Sequence, residues 1–141
     1  RMDKFKISKK MMQTIHKSIQ NEDFETIKKA MFNIKDLSKK ENALSLNQLS
    51  RWVSTKESHA TDIQNRINHY FLIQRIKPKK GKEYDLYATQ TTLLHQVMIF
   101  AMKCKQTVDT KNVTEALSLL DKFVDSYFDD HVKDNIKQLE H

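Results

Sequence analysis

The chain has very few of the residues that proteins use for sharp backbone turns or covalent cross-links: one glycine, one proline and one cysteine in 141 residues. A single glycine excludes a glycine-rich phosphate loop or a dinucleotide fingerprint, since both need several positions free of a Cβ. A single cysteine, Cys104, excludes an internal disulfide and fits a reducing compartment, so the sequence reads as cytoplasmic. No apolar run approaches the roughly 20 residues that span a bilayer, and no secretory signal is visible, so no membrane role is expected. There is no nucleophile elbow and no pair of carboxylates at a spacing with rigid support. The chain therefore reads as a non-enzyme, with no cofactor. Arg1 before Met2, and the closing Leu139-Glu140-His141, resemble cloning remnants and are set aside.

Charge is plentiful and sorted along the chain. Residues 1–50 carry 11 Lys and Arg against 6 Asp and Glu, and residues 51–82 carry 8 against 2. Residues 83–108 balance at 2 against 2, and residues 109–141 reverse to 4 against 8. The positive excess is densest at residues 51–82, a pattern that suits a polyanion, a membrane surface or an acidic protein.

The stretch from Leu44 to Thr89 reads as a helix, a second helix and a basic hairpin. Ser45 can cap the first helix, with Gln48 three residues on as in a capping box, and Leu46, Leu49 and Trp52 or Val53 form its apolar face. The second helix, roughly Glu57 to Tyr70, repeats Ala60, Ile63 and Ile67 on one side. Its other side carries Ser58, His59, Thr61, Asp62, Asn65 and Arg66, side chains able to contact phosphates and base edges. Leu72–Lys77 and Glu83–Ala88 read as two short strands. Between them, Pro78-Lys79-Lys80-Gly81-Lys82 holds the only proline and the only glycine, the residues that fix a turn and permit positive φ.

These segments, with Phe71-Leu72-Ile73-Gln74-Arg75 before the hairpin and Leu86-Tyr87-Ala88-Thr89 opening a long helix, resemble the MarR family of transcriptional regulators, as a divergent member. The resemblance implies a mainly α winged helix-turn-helix in one domain over 1–141, with a DNA-binding lobe near 44–89 and dimerisation helices near 5–20 and 90–137. It also implies a homodimer on a palindromic operator in double-stranded DNA, and a small apolar effector. On this reading Ser58, His59, Thr61, Asp62, Asn65 and Arg66 face the major groove, while Arg75, Lys77, Lys79, Lys80 and Lys82 hold the backbone. Asp62 has three open roles: accepting from a cytosine amino group, pairing with Arg66 at i, i+4, or marking a face that does not touch DNA.

The remaining segments are helical by period. Phe5, Met12, Ile15 and Ile19 make one stripe, and Phe24, Ile27, Met31, Ile34 and Leu37 make another, with Asn21 and Glu22-Asp23 read as a cap and acidic first turn between them. Gln90–Gln106 is apolar on more than one face, and Asp109 or Thr110 can cap a last helix. That last helix carries Leu117, Leu120, Phe123, Val124, Tyr127 and Phe128. Together with Met12 and Ile15, they exceed what a three-helix DNA-binding core covers, and the surplus predicts the dimer interface.

Six histidines are present, but none stands at metal-pair spacing, and Asp129-Asp130-His131 diverges around a helix. Cys104 continues the row of Val97 and Phe100 and reads as a core thiol rather than a redox switch. The rival to DNA binding is a helical or winged-helix module that binds another protein. An enzyme acting on nucleic acid would need an acidic or histidine cluster that the sequence does not supply.

Overall fold

A computed structural model describes the backbone of residues 2–140 and the side chains of residues 10–128. It contains four helical rods and, among the described residues, no strand. The first rod joins α1 (Met2–Lys17) to α2 (Glu25–Leu37) through a π-helical turn at Ser18–Phe24. The second is α3 (Ala43–Arg66), continued by a π-helical turn at Ile67–Leu72. A short 3₁₀ turn, Gly81–Glu83, leads into α4 (Tyr84–Gln106), and α5 (Lys111–Glu140) closes the chain.

The scarcity of helix breakers explains the long rods. No glycine or proline occurs before Pro78, so nothing in the first 77 residues forces the backbone out of helical geometry. The one early break is made by polar caps instead. Ser38 Oγ donates to Lys35 O at 2.7 Å, and Asn42, in extended backbone, accepts from Ser45 N at 2.8 Å to start α3. The helix therefore starts three residues before the expected Ser45 cap, and Ser45 itself is buried. At the start of α5, Asp109 takes the capping role, accepting from Lys111 N at 3.0 Å.

Three expectations of a winged helix-turn-helix are overturned here. The two helices of the expected lobe are one continuous α3, because Val53-Ser-Thr-Lys-Glu57 contains nothing that ends a helix. The expected strand Leu72–Lys77 is the end of the π-helical turn and an irregular loop, and the expected strand Glu83–Ala88 opens α4. The apparent alternation of Tyr84, Leu86 and Ala88 is too short to separate strand from helix, and the residues that follow continue the helix. The turn chemistry itself is as expected, since Gly81 has φ +66°.

The rods pack as α2 on α3, α3 on α4 and α4 on α5, and the first π-helical turn meets α5 to close the ring. Phe24, Phe71 and Phe123 are wholly buried, with Phe71 and Phe123 ring centroids 5.2 Å apart. Met12, Leu120, Phe123, Val124 and Tyr127 are buried in this same core, and Ile15, Leu117 and Phe128 pack against it. The residues expected at a dimer interface thus meet inside one chain. A fourth rod absorbs the apolar surplus, and the reason for inferring a second subunit disappears. An acidic and a basic side chain, Asp23 and Lys56, are also buried; Lys56, 3% exposed, donates from Nζ to Lys105 O at 2.8 Å and Thr107 O at 2.7 Å, tying α3 to the C-terminal end of α4.

Candidate functional site

A polar cluster lies where α3 passes the first π-helical turn. Asp23, on that turn, is buried, and its Oδ1 lies 2.9 Å from Nδ1 of His59. Its Oδ2 has no hydrogen-bond partner and is 3.9 Å from Arg66 Nε. Arg66 Nε sits 3.0 Å from Asp62 Oδ2, one helical turn back, and Nη1 donates to Ser18 Oγ. Ser18 Oγ in turn donates to Glu22 Oε2 at 3.0 Å. Burial pushes the Asp23 carboxyl up to about 6 and the adjacent Asp62 adds to this, against the hydrogen bond from His59 and the charge of Arg66.

Two clefts flank the cluster. One, of about 560 Å³, is lined by Lys10, Met11, Thr14, Ile15, Ser18, Arg66 and Tyr70. The other, of about 410 Å³, is lined by Ser58, His59, Thr61, Asp62 and Asn65. The face expected to read DNA is therefore split. Ser58, Thr61 and Asn65 are exposed, whereas His59, Asp62 and Arg66 are tied to one another through Asp23 and to the first rod. Of the three roles open to Asp62, the i, i+4 pair with Arg66 is the one formed.

The basic segment is a loop between rods. Arg75 is half-buried with Nη2 2.9 Å from Met11 Sδ, and Lys77 Nζ donates to Ile73 O at 3.1 Å. Lys79, Lys80 and Lys82 are exposed. Two functional-looking residues escaped the sequence reading. Asp23 reads from the sequence as part of an acidic first turn, and Lys56 stands at a helical core position that its charge disguises.

A family model described as nickel-containing superoxide dismutase matches residues 6–131. The chain belongs to that family. No curated protein and no solved structure matches it. The match overturns the MarR resemblance, and with it the DNA-binding regulator, its double-stranded DNA partner and its effector. It also overturns the protein-binding alternative and the reading as a non-enzyme, because the family is one of oxidoreductases. The misreading has a physical source: a helix, a lysine-rich connection and another helix give the same one-dimensional pattern whether the connection is a β-wing or an irregular loop.

Membership in the nickel-containing superoxide dismutase family implies a metal, and the described side chains do not fit one. Nickel takes imidazole or deprotonated thiolate donors that converge on one point. Among the described residues no three of His, Cys, Asp and Glu converge. Cys104 has no exposed surface, and burial pushes its thiol up to about 11, against the charge of Lys56. His59 is engaged by Asp23, and His16 Nε2 lies 3.0 Å from Asp121 Oδ1. His69 and His95 are exposed on different rods.

Proposed function

We propose that the chain acts in the removal of superoxide by disproportionation, in which two superoxide anions and two protons give dioxygen and hydrogen peroxide. The family match over residues 6–131 carries this reading. Charge supports it. Superoxide is a monoanion, the chain has a formal net charge of +7, and Lys79, Lys80 and Lys82 stand exposed on one loop. Such a field raises the encounter rate of a small anion without any specific contact, and salt removes the gain. The single cysteine supports a cytoplasmic location, where no disulfide is needed.

The test is the decay of superoxide with the tag-free protein, with and without supplied nickel, across ionic strength. Decay faster than in buffer, slowing as salt rises, is the expected result. Replacing Lys79, Lys80 and Lys82 by Gln should lower the low-salt rate several-fold, the difference closing near 1 M salt, where the Debye length is about 3 Å. Decay no faster than in buffer, with nickel present or absent, overturns the proposal.

A further inference from the structure

We infer that the helical body of this chain contributes no ligand to nickel: whatever nickel the protein uses is held by donors other than the side chains of residues 10–128. The inference rests on the superoxide reading only in that the family names the metal. Its support is that Cys104, His59 and His16 are each engaged elsewhere, while exposed His69 and His95 stand on different rods and no three donors converge among the described residues.

Cys104 is the only possible source of thiolate in the chain, and it lies on the core row of α4 with Leu94, Val97 and Ala101. To ligate, it would have to lose its proton inside that core. The ammonium of Lys56, fixed over the end of α4 by two carbonyls, lies near enough for its charge to act on the Cys104 thiol. A divalent cation there would sit against a buried positive charge. His59 offers Nδ1 to Asp23, and a carboxylate behind a histidine is a common support for a metal-bound imidazole. Here, however, the nearby carboxylates are already matched to Arg66: Asp62 Oδ2 at 3.0 Å and Asp23 Oδ2 at 3.9 Å. A metal on His59 would have to displace a guanidinium held by three groups. His16 has one carboxylate neighbour, Asp121, and no second donor converges with it. The core is continuous through all four rods, so the fold does not need a metal to close it.

The experiment measures nickel directly, on the full chain freed of any polyhistidine tag. Nickel content by mass spectrometry and nickel titration by calorimetry are compared for the parent and two variants. One is Cys104→Ala, and the other replaces His16, His59, His69 and His95 by Gln, which keeps a hydrogen-bonding group at each place. The expected result is the same nickel stoichiometry in all three, whether none or one per chain, with no thiolate-to-nickel absorption band that depends on Cys104. In addition, a chelator should leave the parent's thermal midpoint unmoved. Loss of bound nickel in either variant, with its helical circular dichroism intact, overturns the inference. So does a chelator-induced drop in midpoint that nickel restores and magnesium does not, provided that neither variant shows it. Superoxide decay is scored separately, so either proposal can fail while the other stands.

Discussion

Asp23 sets the pH behaviour of the α3 cluster. Its carboxyl is pushed from 3.8 to about 6, chiefly by burial, which disfavours the charged form. Because the folded value is raised, the native chain binds a proton between these two pH values that the unfolded chain has already released. The Asp23 contribution to stability is therefore present at low pH and is lost as pH rises through this window. Its size is roughly 2–3 kcal/mol. An Asp23→Asn substitution keeps an acceptor for His59 and removes the titration. Urea unfolding from pH 7 down to pH 4 should show the parent gaining on the variant by that amount. Parallel curves would mean that Asp23 ionises in the fold as it does in the unfolded chain.

At the scale of the element, α3 shows what the sequence made legible and what it hid. The buried positions Ser45, Lys56, Ala60, Ile63 and Ile67 run at helical spacing straight through the point where a turn was expected. A period is recognised by its apolar members, and Lys56 breaks the apolar series while keeping the geometric one. The stripes of α2 and the end of α3 were readable because Ile27, Met31, Ile63 and Ile67 are apolar as well as periodic. The polar cluster was not readable, since Asp23 and His59 are 36 residues apart and only the packing of the first rod on α3 joins them. Lys56→Met tests the hidden position. The unbranched apolar side chain, one atom shorter, fills most of the space but leaves two carbonyls of the α4 terminus without a donor, so the variant should lose roughly 1–3 kcal/mol in urea unfolding. A variant as stable as the parent would show that water replaces the ammonium without cost.

The whole molecule is a ring of rods in which each helix needs its neighbours, so a rotation of one part is felt by all. Among the described residues no helix is long and apolar enough to cross a membrane, and the longest apolar stripes face one another instead. The two π-helical turns are where this ring tolerates irregular spacing. Ile19 and Phe24 are both wholly buried although five residues apart, and Phe71 and Ile76 repeat the same interval, with Ile76 N donating to Phe71 O at 2.8 Å. Each turn thus carries one spare residue, a stretch of chain longer than its neighbours need to stay in phase. Deleting exposed Asn21 should let the first rod close into an ordinary α-helix, with both its stripes still pointing inward. Deleting exposed Lys28 from α2 should instead swing one half of the rod by about 100° against the other. Circular dichroism melts should show one cooperative transition for the first and its loss for the second; equal damage from both would mean that the first turn is a fixed part of the site. A change of length therefore has a place to occur at Ser18–Phe24, the turn that holds buried Asp23, whose contacts to His59 and Arg66 would register the change.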